Sequence, residues 1–142
     1  MSPMASSKNI YEECHISRKL QKRVIDEKNF TYRNLLTILQ RYIKGKSDIL
    51  DIGCGVGTIA FYLASKGKNV TGIEISKNAL NVARKSAKFF GLDKKIKFLL
   101  MHFPKEVPKG KFDLIICSEV LEHLENDKMA VKKIYVLLNK EG

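Results

Sequence analysis

The chain is poor in cysteine, with Cys14, Cys54 and Cys117 spread over 142 residues and no C-x-x-C pair among them. An odd number at that spacing excludes a disulfide framework and gives no zinc or dithiol motif, so the three read as reduced thiols. Cys54 lies in a glycine-rich stretch and Cys117 ends an apolar run, which fits small buried side chains. Long apolar runs are absent too. Leu114-Ile115-Ile116-Cys117 is far short of the roughly 20 residues a membrane helix requires. Residues 1–8 lack the apolar core of a secretion signal, and a cytoplasmic location is expected. There is no internal repeat and no low-complexity segment.

What is abundant is lysine. The formal charge is +11, yet the cations are spread along the chain, without the Arg-rich or aromatic-interleaved cluster of a nucleic-acid face. Nucleic acid is therefore not the expected partner. One local exception is Arg18, Lys19, Lys22, Arg23 and Lys28, which form a basic helix face suited to an acidic substrate or a membrane surface. At 44% hydrophobic and 29% charged residues, the chain has the composition and length of one soluble domain.

Residues 1–9 read as a disordered tail, and Ile16, Leu20, Val24 and Ile25 recur at helical spacing. A division follows into a tail and basic helix over 1–30 and a domain over 31–142. Thr31 is the expected N-cap of a second helix whose apolar stripe is Leu35, Ile38, Leu39, Tyr42 and Ile43, with Gly45 as its stop. From Asp48 onward, β-branched runs alternate with helical stretches. Strands are predicted over 49–52, 69–75, 96–101 and 112–118, and helices over 58–66, 77–90 and 127–139. Gly67 and Gly91 stand where C-caps belong, Ser76 and Asn126 where N-caps belong. The alternation predicts an α/β fold with a parallel sheet, right-handed crossovers and helices on both faces.

Asp48-Ile49-Leu50-Asp51-Ile52-Gly53-Cys54-Gly55-Val56-Gly57 is a strand, a glycine loop and the start of a helix. Gly53, Gly55 and Gly57 let backbone approach a ligand at a helix N-terminus, at the strand end where such sheets bind nucleotides. The loop is G-x-G-x-G, not the G-x-G-x-x-G of dinucleotide enzymes. Asp51 moreover places a carboxylate where a pyrophosphate needs positive potential, and suits a ligand carrying an ammonium group. Glu74 ends the next strand about 20 residues on, where an acid can accept from both ribose hydroxyls, with Ile75 beside it to pack on adenine. The competing reading has Glu74 capping the following helix with Ser76.

Asp-Ile-Gly-Cys-Gly-Val-Gly, Gly-Ile-Glu-Ile-Ser and Phe-Asp-Leu-Ile-Ile-Cys-Ser-Glu-Val-Leu-Glu-His-Leu together resemble the class I S-adenosylmethionine-dependent methyltransferases, nearest to the small-molecule branch of ubiquinone-biosynthesis O-methyltransferases. The resemblance runs over about residues 30–142. It implies a Rossmann-like sheet of order 3-2-1-4, stopping before the family's fifth strand. It also implies S-adenosylmethionine as cofactor and contacts to it from Arg33, Gly53, Glu74 and Ser118, although an exposed helix charge explains Arg33 equally well. The family commonly has an adenine-binding Asp after the third strand. This chain has His102 and Phe103 there, so a ring nitrogen of His102 or nearby backbone takes that role, or His102 is a solvent-exposed loop residue.

Methyl transfer from a sulfonium is an in-line displacement that needs alignment and dryness more than a nucleophile. For a hydroxyl acceptor a base helps, and His123 is the candidate among Glu119, Glu122 and His123. At i, i+3 and i+4 these three would share a helical face, as a similar set does in magnesium-binding relatives. The other reading is a helix N-terminus favouring acids with His123 packed locally. The open edge of the fourth strand needs a cover, from a homodimer or a partner, or from strands that a truncated fragment lacks. The leading expectation is methyl transfer to a small molecule, with oxygen as acceptor. A non-catalytic binding module and an RNA methyltransferase are the alternatives.

Overall fold

A computed structural model describes residues 20, 21 and 23–142. The elements are α1 (Arg33–Tyr42), β1 (Asp48–Ile52), α2 (Thr58–Ser65), β2 (Asn69–Glu74), α3 (Lys77–Phe89), β3 (Ile96–Leu100), β4 (Leu114–Cys117) and α4 (Asp127–Leu137), with a 3₁₀ turn at Leu121–His123 before α4. The strands form one parallel sheet of order β3-β2-β1-β4, with Asp51 of β1 level with Gly72 and Ile116. This is the expected order, and β4 is an edge.

Alternate residues of β1 face opposite sides. Ile49 joins Leu36 and Leu39 of α1, Ile59 to Ala64 of α2 and Leu80 and Ala83 of α3 in one core. Leu50 and Ile52 join Phe103, Phe112, Ala130 and Leu137 in a second core on the other face. Helix α2 is apolar all round because it is enclosed, with Ile59 through Ala64 all buried. Phe61 on it meets Phe90 and Phe98 edge-on, at centroid distances of 5.3 and 6.2 Å.

Punctuation follows the sequence closely in places. Ser76 Oγ accepts from Ala79 N at 3.1 Å, and Asn126 Oδ1 accepts from Met129 N at 2.9 Å, which caps α3 and α4 as expected. The N-terminal end differs. The described part of the expected first helix, residues 20, 21 and 23–30, is not helical. Val24 and Ile25 pack on the first core, Gln21 N donates to Ser86 Oγ at 2.9 Å, and Glu27 accepts from Tyr62 Oη at 2.7 Å and pairs with Lys66 at 3.2 Å. The remainder of that basic helix and the tail lie outside the described residues. Thr31 is not the cap of α1 either. The helix starts at Arg33 with no side-chain cap at Tyr32; the turn before it is braced by Asn29 Oδ1, which accepts from the N–H groups of Thr31 and Tyr32 at 3.1 Å each.

β4 is shorter than the predicted 112–118. Phe112 forms an isolated bridge with Leu138 instead. Asp113 accepts from Ser47 N (2.9 Å), Asp48 N (3.0 Å) and Asn139 Nδ2 (2.7 Å), which ties the start of β1 to the chain after α4. Leu138 turns extended, at ψ 143°, to make its bridge, so α4 ends at Leu137.

Candidate active site

A cavity of about 560 Å³ opens at the carboxyl end of the sheet, a size normal for a small-molecule site. Four segments leaving the strands build it. Gly53 and Gly55 come from the β1 loop, Glu74 and Ile75 from β2, Met101 to Lys105 from beyond β3, and Ser118 to Val120 with His123 to Asn126 from beyond β4.

The glycine loop takes a left-handed course, with φ of +72°, +55° and +91° at Gly53, Gly55 and Gly57. At two of the three the space is also closed. A Cβ on Gly53 would lie 2.4 Å from Val120 Cγ2, and one on Gly57 would lie 2.8 Å from Phe61 Cζ. Gly57 is thus a packing glycine at the cap of α2, buried and away from the cavity wall, whereas Gly53 and Gly55 line it.

Asp51 is on the same pleat face as Ile49, which places it under α2 and not in the cavity wall; it is 4% exposed. Its Oδ2 has no hydrogen-bond partner. Burial, with the nearby Glu74 carboxylate second, pushes its pKa up to about 7. A buried carboxylate beneath the loop with an unmet oxygen is the feature that an ammonium-bearing ligand would relieve. Beside it, burial pushes the Cys54 thiol well up, and Cys117 rises to about 11 for the same reason first. Both cysteines are thiols, as expected.

Glu74 does more than the sequence suggests. Its Oε2 accepts from Gly55 N at 3.0 Å, and its Oε1 accepts from Ile75 N (2.8 Å) and Ser76 N (2.9 Å). Glu74 thus braces the turn into α3, whose cap is Ser76 itself, and it also lines the cavity. Two acceptor directions per oxygen leave one free on Oε2 for a ligand hydroxyl.

His102 lines the cavity, and its backbone N donates to Glu106 Oε2 at 2.7 Å. Phe103 is 7% exposed and joins the cavity floor to the second core. Ser118, Glu119 and His123 line the opposite wall. Two expectations need correction. Arg33 is not at the cavity; its guanidinium stacks over the Phe30 ring at 5.4 Å on the exposed side of α1. Glu119, Glu122 and His123 do not share an α-helical face, because Glu119 has φ of +56° and only Leu121–His123 make a 3₁₀ turn. Glu122 falls outside the cavity wall, and among the described residues no three His, Cys, Asp or Glu gather as metal ligands.

Sequence reading missed Met101, Pro104, Lys105, Val120, Glu125, Asn126 and Met129 as wall residues. The signal for them was topological: every segment leaving a parallel strand ends on this side.

Residues 50–142 match the family model described as a methyltransferase domain. The chain is 41% identical over 97 residues to a ubiquinone biosynthesis O-methyltransferase of Rickettsia canadensis, covering 68% of this chain and 40% of the relative. A protein of the same description from Alkalilimnicola ehrlichii is 37% identical over 94 residues, covering 66% and 38%. The chain thus spans about 40% of the length of these curated relatives. In fold it resembles magnesium protoporphyrin IX methyltransferase of Synechocystis with bound S-adenosylmethionine (TM-score 0.67, 20% identity, 98% of this chain and 73% of that one). It also resembles a bifunctional kinase-methyltransferase (TM-score 0.68, 21% identity, 92% and 33%).

The fold and the loop define a nucleotide-binding α/β domain of the Rossmann-like kind. The chain belongs to the class I S-adenosylmethionine-dependent methyltransferases, and resembles the ubiquinone-biosynthesis O-methyltransferases.

Proposed function

We propose that this chain is the cofactor-binding part of a cytoplasmic enzyme that moves a methyl group from S-adenosylmethionine to a hydroxyl oxygen of a small organic molecule. The observation that carries this is the cavity, which sets the glycine loop and Glu74 on one wall against Ser118, Glu119 and His123 on the other. The names of the relatives support oxygen as the acceptor atom.

The residues present fit the cofactor. Asp51 Oδ2 is an unmet buried oxygen, Glu74 retains an acceptor direction at the cavity, and Ile75, Met101 and Phe103 supply apolar wall. When bound, S-adenosylmethionine supplies an electrophilic methyl carbon on a sulfonium. The chain's own work is then to hold, orient and dry. Gly53 and Gly55 give backbone access, Glu74 accepts from a sugar hydroxyl, and the Asp51 charge favours the ammonium end through the thin loop. His102 and the backbone beside it frame the base. His123, on the acceptor side, takes the hydroxyl proton; a divalent ion such as magnesium would act differently, by polarising the acceptor oxygen.

Calorimetric titration with S-adenosylhomocysteine tests the cofactor half. The chain is expected to bind it, and Glu74→Ala to weaken binding at least about tenfold. His123→Ala is expected to leave that affinity unchanged while lowering methyl transfer to a catechol probe by about 100-fold. Absence of any S-adenosylhomocysteine binding by the unaltered chain would sink the reading.

A further inference from the structure

The end of the sheet opposite the cavity has a character of its own. In a parallel α/β unit each helix returns the chain to the start of the next strand, so the turns into β1 to β4 and the C-terminal ends of α1, α3 and α4 share one side. Lys44-Gly45-Lys46 leads into β1, Lys66-Gly67-Lys68 into β2, and Lys109-Gly110-Lys111 approaches β4. Lys94, Lys95 and Lys97 flank the start of β3. Residues 44–48, 66–69, 93–97 and 109–113 thus hold nine lysines against three aspartates, whereas the segments 53–57, 101–106 and 118–126 at the cavity end hold one lysine against four glutamates.

Carboxylates offset only part of this lysine charge, Lys46 being attracted to Asp113. Lys66 pairs with Glu27, but Lys46 and Lys68 donate to backbone carbonyls, of Glu141 at 2.6 Å and Lys46 at 2.7 Å. Lys111 likewise donates to the Val136 carbonyl. An ammonium on a neutral oxygen keeps its full charge.

Apolar groups stand on the same side. Tyr42, the last residue of α1, is 61% exposed, and Phe89, the last of α3, is 64% exposed. In the final turn of α4, Tyr135 is 79% and Val136 61% exposed. Lysines form a diffuse positive field, and aromatic rings among them suit the depth of lipid headgroups. The planar, bidentate guanidinium that clamps individual phosphates is represented in these helix ends and turns by Arg41 alone. That balance favours a lipid surface over a nucleic acid.

We propose that the amino end of the sheet is a docking face for an anionic membrane surface, held by the lysine turns and entered by Tyr42, Phe89 and Tyr135, with the cavity mouth directed into the water.

The test is flotation of the full chain with vesicles of phosphatidylglycerol and phosphatidylcholine, against vesicles of phosphatidylcholine alone, at low and high salt. Binding is expected to the anionic vesicles only and to fall with salt. One lysine near such a surface is worth about fivefold in partition. The quadruple variant Lys44→Gln/Lys94→Gln/Lys97→Gln/Lys109→Gln should therefore lose about 100-fold or more, and Tyr42→Ser/Tyr135→Ser several-fold, both with unchanged circular dichroism. A charge-matched pair separates face from net charge: Lys94→Gln/Lys109→Gln is expected to lose about 20-fold, and Lys77→Gln/Lys128→Gln at the other end less than about threefold. Equal losses from the two pairs overturn the proposal, as does no binding to anionic vesicles at low salt. Tighter binding to a labelled single-stranded oligonucleotide than to those vesicles overturns it in favour of nucleic acid.

Discussion

At the carboxyl end of the sheet, Gly53 has φ of +72° and a Cβ there would come within 2.4 Å of Val120; at the amino end, Gly67 has φ of +83° and a Cβ would meet nothing within 4 Å. Aspartates make the same contrast. Asp51 is buried with an unmet oxygen and an elevated pKa. Asp113 accepts three hydrogen bonds, two from backbone N–H groups, which hold its carboxyl below the usual range. One end is strained and incompletely satisfied, as sites that await a ligand often are. The other end is satisfied and open. Equal residue types therefore have unequal meaning, set by what the fold brings against them.

The contrast breaks most sharply at Gly53. Gly53→Ala combines a left-handed residue with a clash against the loop after β4, and is expected to cost about 3 kcal/mol of stability and to remove measurable S-adenosylhomocysteine binding. Urea unfolding and calorimetry measure the two effects. If the variant binds normally, close approach at the cavity end is not a requirement.

Asp51 comes second because its effect on stability is confined to one pH range, and replacing it has the opposite sign. Its folded pKa, about 7, lies above its ordinary value of 3.8. The folded state then binds the proton more tightly, and stability falls as pH rises from about 4 to about 7, by on the order of 4 kcal/mol at most. Asp51→Asn should accordingly raise the urea midpoint at pH 8 and leave it little changed at pH 4. Affinity for S-adenosylhomocysteine should tighten as pH rises through about 7 in the unaltered chain and stay flat in the variant. A midpoint lowered at pH 8 would show that the buried charge is already compensated.

Asp113 runs the other way. Its folded pKa is depressed, so its contribution is present above the unfolded value and lost as pH falls through the folded one. Asp113→Ala leaves the N–H groups of Ser47 and Asp48 without that acceptor and is expected to cost about 2 kcal/mol at neutral pH, with cofactor affinity unchanged. Weakened affinity would mean that the two ends are coupled through β1.

The sheet order, the caps of α3 and α4 and the cavity position were legible because each depends on local pattern or on the direction of parallel strands, whereas the Thr31 cap was not. Ser76 and Asn126 needed only their neighbours. Asp51 was legible as an acid in the right place but not as a buried one, since burial depends on which pleat face α2 covers. Arg33 was misplaced because helical spacing does not reveal that Phe30 takes its guanidinium. The Glu119, Glu122 and His123 set failed for a backbone reason. Spacing of i, i+3 and i+4 means one face only in an α-helix, and Glu119 turns left-handed before a single 3₁₀ turn. The lysine turns were visible as residues but not as a surface, because their grouping appears only once four strand starts lie side by side.

The smallest effect is at Gly67. Its N donates to Ala64 O at 2.9 Å, closing α2, and its left-handed φ is the sole demand made on it. Gly67→Ala is expected to cost about 1 kcal/mol, with affinity for S-adenosylhomocysteine unchanged, and Gly67→Asn less, since Asn tolerates that region. Urea midpoints for the two variants beside Gly53→Ala separate conformational demand from close approach. A loss at Gly67→Ala as large as at Gly53→Ala would mean that the open space there is filled in solution, and that the amino end is packed as tightly as the cavity end.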